Sequence, residues 1–143
     1  MSAFTAEPAA EHADVRAALY ELVGRFLRDY EGAAQAHGLT LTQARALGFA
    51  ACEPLSQRQL AKHFGCDPSN VSVIVDRLVE RELVERRPDP GDGRVKLVEA
   101  TAAGRELAVR CCQDREWLGP KLAGLTPGEL ETVRLALALL VDT

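Results

Sequence analysis

Apolar residues recur every three or four positions from Val15 through Leu19, Leu22, Phe26 and Tyr30, with Ala18, Val23 and Leu27 widening the stripe. That period predicts a helix over about 12–36. His37-Gly38 reads as its end, with Gly38 free to take the left-handed conformation that closes a helix. A second helix is expected from Thr40 or Thr42 to about Cys52, where Pro54 forbids continuation. Ser56, with Gln59 three residues on, is a capping-box pattern that opens a third helix. Leu60, Ala61 and Phe64 give that helix its buried face, and Gly65 stops it. Asp67 followed by Pro68 opens a fourth helix, closing near Glu82-Leu83. The period then falls to two. Residues 83–87 and 94–99 read as strands around Pro88-Asp89-Pro90-Gly91-Asp92-Gly93, a dense turn signal. Helical spacing returns over about 102–118. Thr126 and Glu129 open a last helix, with Pro127 at its first position.

The order short helix, tight turn, second helix, glycine-tipped hairpin is that of a winged helix-turn-helix, which places one helix in the major groove of DNA. The fold class expected is mainly α with a small antiparallel hairpin. Residues 39–101 would form the winged unit, and 12–38 with 102–143 a helical dimerisation region, in one continuous domain. Residues 1–11, rich in Ala, Glu and Pro, read as disordered. Hydrophobic content of 47% and charged content of 27% suit a soluble globular chain. The longest apolar run, 135–141, is too short to span a bilayer. The N-terminal residues show no basic stretch followed by an apolar one, so a cytoplasmic protein is expected. The net charge of −4 is unusual for a DNA binder. Its distribution matters more: residues 56–100 hold eight Lys/Arg against eight Asp/Glu, so the acid excess lies outside the reader. Phosphate contacts must then come from local placement of cations.

On a helical wheel of residues 67–81, Val71, Ile74, Val75 and Leu78 fall on one side. Ser69, Val73, Asp76 and Glu80 lie opposite, with Asn70, Ser72 and Arg77 at the margins. The outer face begins with short side chains, which let a helix lie deep in a groove about 12 Å wide. Asn can bond adenine through two hydrogen bonds, and Val73 can touch a thymine methyl. Asp76 and Glu80 would repel phosphates, but they sit towards the end that leaves the groove. In the hairpin, alternation sets Asp92 and Arg94 on one side, so paired hydrogen bonds from the carboxylate could aim the guanidinium at a minor groove. Arg86, Arg87 and Lys96 are candidate phosphate contacts, joined by Ser56 and Gln57 at the start of the third helix. The plain alternatives are a solvated amphipathic helix and a surface ion pair worth about 0–1 kcal/mol.

Leu39-Thr-Leu-Thr-Gln-Ala-Arg-Ala-Leu47, Leu55-Ser-Gln-Arg-Gln-Leu-Ala61, Asp67-Pro-Ser-Asn-Val-Ser72, Val75-Asp-Arg-Leu78, Leu83-Val-Glu-Arg-Arg-Pro-Asp-Pro90 and Asp92-Gly-Arg94, with Leu97 to Gly104 following, resemble the MarR family of bacterial transcriptional regulators. The similarity runs over about 12–142 and is densest from 39 to 107. The resemblance implies an obligate homodimer on a pseudo-palindromic operator, with repression relieved by a small ligand or by oxidation. By position, it makes Ser69, Asn70, Ser72 and Val73 the base-reading set. Arg77 becomes a backbone contact or brace, and Asp92 and Arg94 the wing tip. The chain departs from the family at Val73, a position often polar or cationic there. It also lacks the cysteine that the family's peroxide sensors carry near the start of the first helix.

The last helix is apolar nearly all round over 135–141, with Leu130 and Val133 leading in, and needs cover on several sides. A partner chain would supply it, with the first and fifth helices joining, and a two-fold dimer would present two recognition helices about one DNA turn apart. An effector pocket is expected between dimer helices and reader. Tyr20, Phe26, Phe49 and Trp117 are candidates to line it for a small aromatic or apolar effector, or else they are plain core. His12, His37 and His63 are scattered, and His37 and His63 fall near helix C-termini, where positive charge is favourable. No cofactor or metal is expected. Cys66 sits at the helix-turn-helix turn, and Cys111-Cys112 face different sides of a helix, where a vicinal disulfide would be strained. A cysteine-based redox- or metal-responsive sensor and a non-DNA protein-interaction module are the rivals. No nucleophile–base pair, metal triad or phosphate loop suggests an enzyme. The expectation is a dimeric, DNA-binding repressor relieved by a small molecule.

Overall fold

The structure is a computed structural model that describes residues 12–141. The stretch 1–11, expected to be disordered, lies outside the described residues. Helix α1 spans Ala13–Ala36, α2 Leu41–Cys52, α3 Gln57–Phe64 and α4 Pro68–Glu80. Strands β2 (Val84–Pro88) and β3 (Lys96–Ala100) form the hairpin, and β1 (Leu55–Ser56) adds a third strand. Helices α5 (Ala102–Gln113), α6 (Leu118–Ala123) and α7 (Pro127–Val141) complete the chain.

The local signals act as read. Thr40, not Thr42, caps α2, because Gln43 completes a reciprocal pair with it. Ser56 and Gln59 form the same box on α3, and Gly65 ends that helix at φ 64°. Asp67 holds the cap position of α4 without a side-chain cap bond. Thr126 and Glu129 bond each other at the start of α7. The Thr126 amide N–H holds the Glu129 carboxyl below the usual carboxylate range.

Three elements differ from the sequence reading. The two-residue β1 was not expected; it pairs antiparallel with β3 through Leu55↔Val98 and Ser56↔Leu97, giving the sheet order β1-β3-β2. Strand β3 starts at Lys96, so Arg94 belongs to the loop, where Asp92 Oδ1 accepts its backbone N–H at 3.1 Å. The fifth helix stops at Gln113 instead of 118. There the Asp29 carboxylate of α1 accepts the amide N–H groups of Glu116, Trp117 and Leu118 at 3.0, 3.1 and 3.3 Å. Those bonds draw the chain out of α5 and start α6 at an elbow.

The core belongs to the winged unit. Leu47, Leu60, Val71, Val75, Leu78 and Val98 are its largest fully buried side chains. By contrast α1 buries only Ala33 and Ala34, and α7 buries none of its residues. The predicted α1 stripe lies on the outside: Val15, Leu19, Leu22, Val23, Phe26 and Leu27 are all exposed, as are Leu130, Val133, Leu135, Leu137, Leu139, Leu140 and Val141 of α7.

The turn after α4 joins reader to scaffold. The amide N–H of Leu83 donates to Leu78 O at 3.0 Å and that of Glu82 to Val79 O at 2.9 Å, a Schellman closure. Such a closure places one residue in the left-handed region, and here it is Glu82, at φ 57°. A side chain is strained there and glycine is not. Glu82→Gly is therefore expected to stabilise the protein by about 0.5–1 kcal/mol, read as a higher denaturation midpoint at unchanged slope. An equal or lower midpoint would mean that Glu82 makes compensating contacts.

Candidate nucleic-acid interface

Helix α4 is oriented by its inner face. Val71, Val75 and Leu78 are fully buried and Ile74 half-buried, against the core that α2 and α3 share. Burial of four branched apolar side chains at this spacing fixes the helix's rotation, so the opposite side has no choice but to face out. Ser69, Asn70, Val73, Asp76, Arg77 and Glu80 are exposed and Ser72 half-buried. Val73 is 61% exposed.

The cations divide into two sets. Arg86 donates to Asp76 at 2.5 Å and to Gln57 at 3.1 Å, tying β2 to α4 and to the start of α3. Arg87 pairs with Glu99 across the hairpin at 3.0 Å, and Arg105 of α5 reaches the same carboxylate at 3.1 Å. Arg77 faces Glu80 at 3.5 Å, with both side chains largely exposed. These guanidiniums already have acceptors, and the Ser56 hydroxyl oxygen accepts the Gln59 N–H of its helix cap, leaving its own O–H able to donate. Arg86, Arg87, Ser56 and Gln57 are the expected DNA contacts here; within the chain Arg86 joins Gln57 and Asp76, and Arg87 holds Glu99. Asp76, which read as a liability beside phosphates, is neutralised by Arg86.

The other set is free. The Arg94 side chain is 94% exposed at the tip of the hairpin and meets Asp92 Oδ1 only at 3.4 Å. The paired hydrogen bonds expected between them are replaced by one long contact, because Asp92 is occupied with the Arg94 backbone. Lys96 is exposed and has no ion-pair partner among the described residues.

Arg81 was not singled out by the sequence reading. It follows α4 directly, and its guanidinium donates to Gly38 O at 2.9 Å and His37 O at 3.1 Å. The end of the recognition helix is thereby fastened to the end of α1. His37 Nε2 in turn lies 2.6 Å from Asp114 Oδ2, just past α5. The only sequence signal for this clamp is a basic residue at a helix C-terminus, where it can also bond carbonyls.

The four candidate effector residues do not come together. Trp117 lines a cavity of about 1120 Å³ at the α5–α6 elbow. Phe26 stacks with Tyr30, and Arg115 lies over both rings. Tyr20 is 71% exposed on the outer part of α1. Phe49 packs on His63 at 4.3 Å between ring centroids and edge-on to Phe64 at 6.0 Å. A second cavity, of about 540 Å³, lies between α1, α2 and α5, with Tyr30, Leu47 and Cys111 in its wall. Cys111 is buried, Cys66 half-buried, and Cys52 and Cys112 exposed. Burial pushes the Cys111 thiol up, with Cys112 and Asp114 adding to it. Among the described residues no three His, Cys, Asp or Glu gather as a metal group, and no helix is long and apolar enough to cross a membrane.

The geometry has counterparts among known proteins. A family model described as MarR family matches residues 37–95. The HTH-type transcriptional repressor NicR of Pseudomonas putida is 34% identical over 93 residues, 63% of this chain and 58% of NicR, so the match spans little more than half of that relative. A solved MarR-family transcriptional regulator from Rhodococcus sp. RHA1 is 30% identical with a TM-score of 0.74, covering 94% of this chain and 99% of its own. CouR from Rhodococcus jostii RHA1, solved bound to p-coumaroyl-CoA, is also 30% identical with a TM-score of 0.74, covering 91% of this chain and 94% of its own. Near-complete coverage at this identity shows common descent as well as a common fold, and the family comprises transcriptional regulators and not enzymes. The chain belongs to the MarR family of DNA-binding transcriptional regulators.

Proposed function

We propose that this chain is a homodimeric repressor that reads a pseudo-palindromic operator and is released from it by a small ligand. The observation that carries this reading is the split of α4, with Val71, Val75 and Leu78 sealed inside and Ser69, Asn70 and Val73 presented outwards. Ser69, Asn70, Ser72 and Val73 would read base edges, Arg77 would brace or touch the backbone, and Arg94 and Lys96 would serve as wing cations. The exposed apolar faces of α1 and α7 favour a second copy of the chain, since water leaves so much aliphatic surface uncompensated. Two readers held one DNA turn apart bind well only at one spacing, so a ligand that favours another spacing lowers affinity. The name of NicR supports repression, and the ligand on CouR supports relief by a small molecule. The apolar cavity between α1, α2 and α5 suits the aromatic or aliphatic body of an effector.

The test is a titration of the purified protein into its own upstream DNA and into a scrambled duplex at two salt concentrations. Selective binding with a steep salt slope is expected, and Asn70→Ala should narrow the gap between the two duplexes by about 1–3 kcal/mol. Equal binding to both duplexes by the unaltered protein would overturn the reading.

A cysteine-sensing version of this function has less support. Cys111 is buried with its thiol held protonated, and nucleophilic attack needs the thiolate. At pH 8, Cys111 is expected to alkylate at least about tenfold more slowly than Cys52 in a timed mass-spectrometric assay. Equal rates would reopen the redox reading.

A further inference from the structure

The recognition helix is aimed by buried side chains, but the C-terminal arm that follows α5 is not. No residue of 116–141 is buried; Trp117, Leu118, Leu125 and Ala138 are half-buried and the others exposed. With no core of its own to seat it, the direction of α6 and α7 rests on bonds at the elbow. Among the described residues, the hydrogen bonds that tie 116–141 to earlier parts of the chain are the three to the Asp29 carboxylate. Its Oδ1 accepts the N–H groups of Glu116 and Trp117 at 3.0 and 3.1 Å, and its Oδ2 that of Leu118 at 3.3 Å. Such bonds to an ionised acceptor are about twice as strong as neutral ones, and the use of both oxygens fixes an angle as well as a distance. The Arg115 guanidinium, over Phe26 and Tyr30, seats the residue just before them.

Asp29 stands where that angle matters. It lies on α1, which carries one exposed apolar face, and it holds the base of the arm, whose α7 carries the other. One carboxylate thus joins the two surfaces that a second copy of the chain would cover. The far end of α1 is gripped in turn by Arg81, next to the recognition helix, through the carbonyls of His37 and Gly38. A change of angle between α1 and the arm is then a change of angle between one reader and the partner chain. Helix α7 has 15 residues. At that length it measures about 22 Å, so a tilt of about 10° carries its far end about 4 Å, more than the ~3.4 Å rise of one base pair.

We infer that Asp29 is a positioning residue for operator reading: it sets the angle of the C-terminal arm and, with it, the spacing of the two recognition helices. The inference rests on the homodimeric repressor reading above. The experiment measures binding of the full-length protein, Asp29→Ala and Asp29→Asn to the operator and to duplexes with one base pair inserted or deleted between the half-sites. The unaltered protein should prefer the natural spacing. Asp29→Ala should remain a dimer with an unchanged salt slope and flatten that preference by about threefold or more. Asp29→Asn keeps one carbonyl oxygen for the Glu116 and Trp117 N–H groups and should fall between. Hydrogen exchange at the amides of 116–118, measured without DNA, should quicken in the same order. An Asp29→Ala protein that binds more weakly but with the same spacing preference would make Asp29 a structural support and overturn the inference. So would loss of the dimer in Asp29→Ala with an unchanged spacing preference in Asp29→Asn. If the unaltered protein binds no duplex selectively, the repressor reading falls and this inference with it. Selective binding with one spacing profile in all three proteins overturns the inference alone.

Discussion

Gly104→Ala is expected to destabilise the protein by about 3 kcal/mol or more, since no other described glycine would bring its added Cβ so close to a neighbouring atom. A Cβ at position 104 would stand 1.9 Å from the Leu83 carbonyl oxygen, 2.9 Å from its carbon and 3.1 Å from Leu47 Cδ1. The first two atoms are backbone and cannot swing away. The Leu83 carbonyl also accepts the Thr101 N–H at 3.0 Å, and the Thr101 hydroxyl donates to Glu82 O at 2.7 Å. Relief of the clash therefore means parting the start of α5 from the turn that ends the recognition helix. Thermal unfolding at fixed protein concentration should show a midpoint lower by about 10 °C. A shift of only a degree or two would mean that the two segments pack less closely than described.

The second large effect concerns DNA and separates two kinds of arginine. Arg94→Ala should weaken operator binding at least about tenfold and flatten the salt dependence, because each lost cation releases fewer counterions. In the proposed homodimer, which carries two wings, the slope of log K against log salt should fall by about 1.8. Arg81→Ala should also weaken binding, severalfold, but with the slope unchanged. Its charge is spent on the His37 and Gly38 carbonyls, so its loss loosens the seat of α4 without removing a phosphate contact. The measurement is operator affinity across a salt series for both variants. Parallel lines for Arg94→Ala and the unaltered protein would remove Arg94 from the DNA contacts. A flatter line for Arg81→Ala would make Arg81 a phosphate ligand instead of a clamp.

The wheel of α4 was legible because its rotation follows from apolar spacing alone. The roles of the hairpin arginines were not. Arg86 and Arg87 look alike in sequence, each a cation near a turn, and Arg94 is set apart only by Asp92 two residues before it. Arg86 meets Asp76 and Gln57, and Arg87 meets Glu99, whereas Arg94 reaches out from the tip. What distinguishes them is the strand register, Arg86↔Val98 and Arg87↔Leu97, and the packing of β2 beside α4. The effector candidates lie apart in the single chain for a related reason. Tyr20, Phe26, Phe49 and Trp117 were grouped by residue type, yet Phe49 faces α3 and Tyr20 faces outwards.

The sequence by itself determined several features governed by neighbours within a few residues. Such are the caps at Thr40, Ser56 and Thr126, the stop at Gly65, the buried face of α4 and the turn around Gly91 and Gly93. Their energetics close within one helical turn, so a local pattern is enough. The tertiary structure decided what rests on partners distant in the chain. Strand β1 exists because β3 offers it free backbone groups, and α5 ends at Gln113 because Asp29 takes the amides that follow. The apolar stripe of α1 was plain in the sequence, and so was the expectation that a second chain would cover it; which of its residues stay open was not. A stripe records that a face must be covered, and only the packing of the whole chain shows that its own core leaves that face open.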